Sequence, residues 1–336
     1  MDSMWIAVDA ASGDHGYEPM VSGAAQAVRD LGLKVILVGN EELIEKELEK
    51  YSDIHNNIQI EHAEEVIGMD DQPARAIRTK KTSSIVVAAN LVKAKKAVGF
   101  FSPGNTGASM AAALMILGRL QGVKRPVIMT PIPRKGQTTT VLVDGGANVD
   151  SKPEVLFQSA IMGEIYAREI LGIIHPRVGI LSNGEEEGKG NELTQGVYSM
   201  LKKLPFNFVG NVEGRDIFGF GKEVDVVVTD GFTGNIVIKT IEGTAKAIFN
   251  ILKTNIKESG LAKTGALLLK PTLQAVKAQM DHSNYGGAPL LGVDGIVIIG
   301  HGSSNAWAVR NAIKVTAEFA RHNLNNLIVQ EIDKYL

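Results

Sequence analysis

The chain has 336 residues, a formal net charge of −2 and 21% charged residues. That balance excludes a surface built to coat nucleic acid and a disordered acidic tail, and the length suits one large domain or two ordinary ones. The absence of cysteine excludes disulfides, thiolate metal sites and an acyl-enzyme formed on an enzyme thiol. The N-terminus has no secretion-signal pattern and no window approaches the roughly 20 apolar residues that span a bilayer, so we expect a soluble or peripheral protein.

Short apolar runs alternate with amphipathic stretches along the chain, which is the pattern of repeated strand-helix-strand units. Because a parallel sheet needs helices on both faces, the pattern predicts an α/β fold of three α/β/α layers around a mostly parallel, Rossmann-like sheet. No linker divides the chain, so we predict a single domain over residues 1–336 with interlocked subdomains. The predicted strands are residues 6–8, 35–38, 58–60, 98–101, 141–143, 178–181, 226–228 and 296–299, and the predicted helices include 20–33, 83–95 and 107–120.

Four of the predicted strands are followed by loops of glycine and asparagine. Loops after the carboxyl ends of parallel strands converge, so we expect one shared site. Glycine exposes bare backbone N–H groups and asparagine adds a neutral donor and acceptor, which together suit a phosphate or an oxyanion. Ordinary strand-to-helix turns are the alternative. The loops are residues 104–107, 144–148, 230–235 and 300–305.

The common nucleotide-binding signatures are missing from the sequence. The nearest match to Gly-x-Gly-x-x-Gly starts at Gly300 and has Asn305 in place of the third glycine. The nearest match to the phosphate-loop signature has Asn183 where its first glycine should be. The sequence therefore predicts no nucleotide cofactor.

Segment 183–192 contains three consecutive glutamates, at 185–187, close to Lys189, which stands between two glycines. After a predicted strand, such a lysine can neutralise an incoming dianion, while the glutamates orient it or open a helix. A solvated loop is the alternative on composition alone, and metal binding by the glutamates is a weaker one. We expect no metal site.

Three further groups of polar residues are candidates with ordinary alternatives. Asp14 and His15 follow Asp9 in the first turn and could do acid–base work or simply cap the turn. His301 lies between two loop glycines and could position a ligand or transfer a proton. The basic run 75–81 could dock an acidic partner or form a solvated helix face.

Segment 248–280 has little strand signal and predicts a helical excursion, at about 248–282, broken around 259–260 and at Pro271. Its leucines are interleaved with lysines, a pattern that suits an interfacial helix. The predicted membrane contacts are Leu261, Leu267, Leu268 and Leu269, and a dimer or core contact is the alternative.

Eight motifs together resemble the bacterial acyl-carrier-protein:phosphate acyltransferases of phospholipid synthesis, the PlsX family, over nearly the whole chain. They are residues 9–15, 70–84, 102–107, 144–150, 184–192, 230–235, 285–292 and 300–305. The resemblance implies transfer of a fatty acyl group from acyl carrier protein to inorganic phosphate, without a cofactor, giving acyl phosphate for phosphatidic acid synthesis. It also implies a cytoplasmic homodimer, peripheral to the inner face of the cell membrane, that supplies a membrane-bound glycerol-3-phosphate acyltransferase.

The resemblance also implies roles for single residues. Lys189 and Asn235 match the catalytic lysine and asparagine, which would hold phosphate and stabilise the oxyanion. The first turn departs from the family pattern, because Ala11-Ser12 replaces the usual Met-Gly. The residues expected to dock the carrier protein are Arg78, Lys80 and Lys81. The residues expected to bind substrate are Asp9, Gly13, Asp14, His15, Gly104, Asn105, Thr106, Gly107, Asp144, Gly145, Asn148, Asn191, Asp230, Gly231, Gly234, His301, Ser303 and Asn305.

Three competing functions remain open at this stage. A phosphotransacetylase-like enzyme would use the same chemistry with coenzyme A as the thiol carrier. A dehydrogenase of the isopropylmalate type shares the general architecture but lacks evident clustered metal-binding aspartates. A scaffold that binds carrier protein and membrane without chemistry would leave four polar loops unused.

Overall fold

A single sheet of eleven strands runs through the part of the chain that this computed structural model describes, residues 4–136, 138–258, 260–279 and 282–335. The strands are β1 Trp5–Asp9, β2 Lys34–Gly39, β3 Ile58–His62, β4 Gly99–Ser102, β5 Val127–Arg134, β6 Thr138–Val143, β7 Arg177–Leu181, β8 Asn207–Val212, β9 Val226–Val228, β10 Ala288–Leu291 and β11 Ile296–Ile299. The helices are α1 Tyr17–Leu31, α2 Glu41–Leu48, α3 Pro73–Thr79, α4 Ser84–Lys93, α5 Thr106–Ala112, α6 Pro153–Glu169, α7 Glu192–Leu201, α8 Gly231–Glu258, α9 Gly260–Gln279, α10 Ala306–Arg321 and α11 Leu324–Asp333.

The sheet consists of two parallel sets of strands that run in opposite directions. The strand order is β3-β2-β1-β4-β11-β10-β5-β6-β9-β7-β8. Strands β3, β2, β1, β4 and β11 are mutually parallel, and so are β6, β9, β7 and β8. Three antiparallel pairings, β11 with β10, β10 with β5 and β5 with β6, join the two sets. The carboxyl ends of the two sets therefore point in opposite directions along the sheet.

The strand register brings these opposing ends to nearly the same height. Strand β11 ends at Ile299, two residues beyond the row that contains Ile128 of β5. Strand β6 ends at Val143 opposite Met129, in the next row of β5. The loops that follow β4 and β11 thus meet the loops that follow β6 and β9, although the strands themselves are antiparallel.

The predicted α/β class with a mostly parallel sheet is confirmed, and each predicted strand overlaps an observed one. Strands β5, β8 and β10 were not predicted. Two of them contain proline, at Pro131 and Pro133 in β5 and at Pro289 in β10, and proline argues against a central strand because it cannot donate a ladder hydrogen bond. The missed strands include both of those that join the two parallel sets.

Helices cover both faces of the sheet, as the three-layer prediction requires. On the β1 side, α1 and α10 pack over one face, and α4 and α5 pack over the other. On the β9 side, α6 and α11 cover one face with a large buried cluster that includes Leu156 and Ile165. The other face there packs against the start of α8 through Val237, Ile238 and Ile241. The sheet is therefore buried on both faces, which fixes the strand ends that carry the loops.

Helices α8 and α9 form an arm that differs from the predicted excursion. Helix α8 begins at Gly231, so the helical segment starts earlier than the predicted residue 248, and α9 continues through Pro271 without ending there. Most side chains of α8 beyond its first turns are exposed. Within the described ranges, no helix is both long and apolar enough to cross a membrane.

Candidate functional site

Two clefts lie on either side of the first turn of α8. The Asn235 cleft has a volume of about 250 Å³ and is lined by Thr106, Ile128, Thr130, Pro131, Gly145, Asn235, Ile238, Lys239, Glu242, Tyr285, Gly287, Ala288, Ile299, Gly300 and His301. The Asn183 cleft has a volume of about 440 Å³ and is lined by Leu181, Ser182, Asn183, Gly190, Asn191, Thr194, Thr229, Asp230 and Thr233. All four glycine-asparagine loops contribute to these clefts or pack beside them. Asn235 lines the first cleft, whereas Lys189 lines neither and comes directly before Gly190, which lines the second.

Three of the loop asparagines are helix N-caps. The side-chain oxygens of Asn105, Asn191 and Asn305 accept hydrogen bonds from the backbone of Ala108, Thr194 and Ala308 at 3.1, 3.0 and 2.9 Å. A side-chain oxygen at this position satisfies one of the open N–H groups of a helix. Much of the glycine-asparagine signal in the sequence therefore encodes the starts of α5, α7 and α10.

The loop after β6 is closed around its own carboxylate. Asp144 is buried, and it accepts hydrogen bonds from the backbone of Gly146, Ala147 and Asn148 at 3.0, 2.8 and 2.8 Å. The side chain of Asn148 donates to the same carboxylate at 2.8 Å. These amides bind the carboxylate of Asp144, so Asp144 and Asn148 shape the loop. The predicted contact of both residues with substrate stays a prediction.

Two glycines let the start of α8 rest directly on that loop. An ideal Cβ at Gly234 would lie 1.9 Å from the backbone oxygen of Asp144, and one at Gly231 would lie 2.7 Å from the backbone oxygen of Asn148. Asp230 caps the helix by accepting from the backbone N–H of Thr233 at 2.8 Å. Any side chain at 231 or 234 would push the helix away, so these glycines are required by packing.

Asn235 differs from the other asparagines of the four loops. It lies inside the first turns of α8, where Asp230 already supplies the cap, and it is exposed in its cleft. Its side chain passes over Gly146, whose ideal Cβ would be 3.6 Å from the Cβ of Asn235. In the described part of the chain no group hydrogen-bonds its amide, which therefore faces the cleft with its donors available.

The loop that carries Lys189 is held at both ends. The backbone N–H of Lys189 donates to the carbonyl of Glu186 at 3.0 Å, and the side-chain amide of Asn211 donates to the same carbonyl at 2.7 Å. At the other end, Gly190 donates to the side chain of Asn183 at 2.9 Å. Asn211 is only 1% exposed, so it fixes the turn from within the core.

The charges around this loop leave its lysine without a counter-ion. Glu185 pairs with Arg215 at 2.9 Å and Glu187 pairs with Lys202 at 3.0 Å. Lys189 is exposed and makes no ion pair with any described residue. Two of the three carboxylates are thus neutralised from outside the loop, and the lysine can meet an incoming anion. The described residues contain no cluster of side chains that could hold a metal ion.

The first turn packs against the loop after β11 and lies outside both clefts. Asp9 is fully buried and accepts hydrogen bonds from Ser102 Oγ at 2.7 Å and from the backbone of Ser12 at 3.2 Å. Burial raises the pKa of the Asp9 carboxyl, against the lowering effect of these hydroxyl groups. Asp14 donates its backbone N–H to Gly302 at 2.7 Å, and His15 is exposed. Asp9 therefore ties β1 to β4.

Glycines at 13 and 104 bring the loops of the first half close together. Gly13 has a φ of +109°, and an ideal Cβ on it would lie 3.3 Å from Pro103. An ideal Cβ on Gly104 would lie 2.9 Å from the Cβ of Ser12, and one on Gly107 would lie 2.7 Å from Pro73. The predicted substrate role of these glycines stays a prediction, while their packing role is evident.

His301 is oriented by its own loop. Its Nδ1 accepts from the backbone N–H of Ser303 at 3.2 Å and lies 2.8 Å from the hydroxyl of Ser303. Because Nδ1 acts as an acceptor, the neutral ring carries its proton on Nε2. His301 lines the Asn235 cleft, and its predicted contact with substrate stays a prediction.

The predicted docking and membrane residues lie apart from both clefts. Lys80 donates to the carboxylate of Asp71 at 2.6 Å and to the carbonyl of Val66 at 3.1 Å. The hydrogen bond from Lys80 to Asp71 lowers the pKa of the Asp71 carboxyl. Arg78 and Lys81 are exposed. On the arm, Leu267, Leu268 and Leu269 are exposed, with Leu268 at 79%, while the side chain of Leu261 and the whole of residue 280 lie outside the described residues.

Several residues of the site were not predicted. Tyr285 belongs to a recognised motif, and its hydroxyl lies 3.4 Å from that of Thr139 on β6. Thr130 and Asn211 lie on strands that the sequence did not predict, so no signal placed them near the clefts. Ile238 could have been found, because it follows Asn235 by one turn on the same face of α8.

Comparison with known proteins gives a consistent result over the whole chain. Residues 4–327 match the family described as fatty acid synthesis protein. The chain is 57% identical over 332 residues to a phosphate acyltransferase of Leptospira biflexa, covering 99% of this chain and 98% of the relative. It is 50% identical over 334 residues to a phosphate acyltransferase of Halothermothrix orenii, covering 98% and 99%. A solved phosphotransacetylase from Streptococcus pyogenes has the same fold, with a TM-score of 0.63 at 18% identity over 95% of this chain and 94% of the other.

Proposed function

Because the chain belongs to the fatty acid synthesis protein family, we propose that it forms acyl phosphate from inorganic phosphate and the thioester of acyl carrier protein. The chain is an acyltransferase, and phosphate is the acceptor of the acyl group. The carrier-protein donor, and the supply of acyl phosphate to a membrane-bound glycerol-3-phosphate acyltransferase for phospholipid synthesis, are the parts that we propose.

The observation that carries the proposal is the amide of Asn235, which faces a cleft with an apolar wall. An amide donor suits the carbonyl oxygen of a thioester, and an apolar wall suits the acyl chain attached to it. As the carbonyl becomes tetrahedral its oxygen gains negative charge, and a fixed donor stabilises that charge more than the ground state. Asn235 is therefore the residue that acts on the reacting carbonyl.

Phosphate approaches from the opposite side of the first turn of α8. The Asn183 cleft is lined mainly by hydroxyl and amide groups, and its one carboxylate, Asp230, is held by the backbone N–H and the hydroxyl of Thr233. Lys189 comes directly before Gly190, which lines this cleft. A phosphate oxygen attacks the carbonyl carbon, and the tetrahedral intermediate then expels the pantetheine thiolate, which takes up the phosphate proton. The absence of cysteine excludes an acyl-enzyme on an enzyme thiol and is consistent with the proposed direct transfer. The reaction requires a phosphate oxygen to reach the carbonyl carbon, so we place their meeting point at the first turn of α8, which contributes residues to both clefts.

The carrier protein docks through the exposed basic residues at the C-terminal end of α3 and directly after it. Arg78 and Lys81 present positive charge to solvent, which complements an acidic partner and speeds its encounter. Lys80 contributes indirectly, because its ammonium group is held by Asp71. This assignment narrows the predicted docking set to two directly contacting residues.

The arm of α8 and α9 provides contact with the membrane and with a second copy of the chain. Exposed Leu267, Leu268 and Leu269 give it an apolar surface beside lysines, which suits the interface of a bilayer. The remainder of α8 is exposed along most of its length and is long enough to pack in a homodimer. The enzyme would then work at the inner face of the cell membrane.

The test is product formation from purified protein. Incubation with phosphate and a fatty acyl thioester of the carrier protein is expected to give acyl phosphate, detected by phosphorus NMR. The same acyl group on coenzyme A is expected to react more slowly. Equal or faster turnover of the coenzyme A thioester would reject the proposed donor and favour a phosphotransacetylase-like activity. The observation that favours this second candidate is the fold shared with the phosphotransacetylase from Streptococcus pyogenes.

A further inference from the structure

The wall of the Asn235 cleft that faces β5 is apolar. On one side, α8 presents Ile238 one turn after Asn235, on the same helix face. On the other side lie Ile128 and Pro131 of β5 and the end of β11 at Ile299. The polar lining residues are Thr106 and His301 near the strand ends, Thr130 on β5, Asn235 and the Lys239–Glu242 ion pair on α8, and the hydroxyl of Tyr285. A ligand with one polar group and one apolar chain fits this division.

Ile238 links the cleft to the protein core. An ideal Cβ at Gly145 would lie 3.3 Å from the Cδ1 of Ile238 and 3.1 Å from the Cγ2 of Ile128. The two isoleucines thus converge over a glycine, and Ile238 also packs against the buried cluster that contains Leu142. A side chain so placed has a fixed position and sets the depth of the cleft.

Tyr285 closes another part of the wall. Its hydroxyl lies 3.4 Å from the Thr139 hydroxyl on β6, so the ring is tethered while it lines the cleft. Its neighbours Gly287 and Ala288 carry little or no side chain, and an ideal Cβ at Gly287 would lie 2.6 Å from the carbonyl of Ile299. Tyr285, Gly287 and Ala288 thus extend the lining of the cleft from α8 to the start of β10.

We propose that the acyl chain of the substrate lies in this cleft between α8 and β5, and that Ile238 sets the length of chain that it accepts. The inference rests on the proposed function, because it places the carbonyl carbon at Asn235. With the carbonyl there, the nearest apolar surface for the chain is one helix turn away, at Ile238. The polar Asn183 cleft offers no comparable surface.

The test compares acyl-carrier-protein thioesters of short, medium and long saturated chains. Ile238→Trp is expected to lower kcat/KM for long chains relative to short ones by at least about tenfold, because small changes in apolar pocket volume discriminate on that scale. Ile238→Ala is expected to shift the chain-length preference toward long chains. This variant tests the inference if the tryptophan variant does not fold. Melting temperature reports folding for both.

The matched control is Ile236→Trp, which changes the same residue type at an exposed position of α8 that does not line the cleft. The control is expected to keep the wild-type chain-length profile. If both Ile238 variants are folded and keep that profile too, the acyl chain lies elsewhere and the inference is overturned. A wild-type protein that forms no acyl phosphate from any thioester would instead reject the proposed function, so the two failures are distinct.

Discussion

The two clefts that flank the first turn of α8 are bordered by loops of similar composition, yet their walls differ. The Asn183 cleft is lined mainly by hydroxyl and amide groups, whereas the Asn235 cleft has an apolar wall from α8, β5 and β11. The asparagines differ in the same way, since Asn191 caps a helix and Asn235 has its amide available. Loop composition alone therefore does not define a ligand; the strands and helices behind each loop do.

The largest expected effect is on the Asn235 side. Asn235→Ala is expected to lower kcat for acyl phosphate formation by roughly 100- to 1000-fold, which is the usual cost of removing one oxyanion donor. Folding should be unaffected, because the side chain is exposed and no described residue hydrogen-bonds it. Single-turnover rates measure the change. Asn250→Ala, at an exposed position on the same helix, is the control, and near-normal rates in the Asn235 variant would reject its assignment.

The next effect is on the Asn183 side. Lys189→Ala is expected to raise KM for phosphate and lower the overall rate by roughly 10- to 100-fold, the range for one hydrogen bond to a charged group. Initial rates over a phosphate series, at saturating thioester, separate this effect from that of Asn235. Lys203→Ala tests a nearby exposed lysine outside both clefts. A Lys189 variant with unchanged phosphate dependence would remove the contrast between the clefts.

Sequence predicted the fold class and most strands because buried parallel strands give continuous apolar runs. Through the resemblance it also singled out Lys189 and Asn235, whose catalytic roles stay predictions. It missed β5 and β10, whose prolines conceal them, and with them the opposing directions of the two strand sets. Pairings between distant segments such as Ile128 and Leu290 leave no local pattern, so the reason why the four loops meet could only be seen in the structure.

A smaller effect is expected from the buried amide that holds the Lys189 loop. Asn211→Asp replaces the donor to the carbonyl of Glu186 with a carboxylate, so the turn should loosen and KM for phosphate should rise several-fold while KM for the thioester stays constant. Steady-state kinetics with each substrate varied in turn check this split.

The matched control for Asn211 is Asn325→Asp. Asn325 also donates its side-chain amide to backbone carbonyls, those of Val293 and Gly295 at 3.2 Å, but far from both clefts. It is expected to lower the melting temperature without changing KM for phosphate. If the two variants behave alike, Asn211 has a purely structural role.

The smallest effect on catalysis is expected at the arm. Leu268→Glu places a charge on an exposed apolar position and should weaken sedimentation with anionic liposomes while leaving turnover in solution unchanged. Lys270→Glu, two residues along α9, separates the contribution of charge from that of apolar area. Unchanged sedimentation of both variants would argue that the arm serves only the dimer.

Helices α5 and α7 begin at the two clefts with neutral caps, since Asn105 caps α5, whose first residue Thr106 lines the Asn235 cleft, and Asn191 caps α7 in the Asn183 cleft. Each helix start carries the equivalent of about half a positive charge. Together these helix ends produce an attractive field for an anion in a protein whose net charge is −2, without a large patch of basic side chains. Such a field is screened over about 8 Å at physiological salt, so it guides phosphate only over the last stretch of its approach and leaves the remaining surface unattractive to larger polyanions.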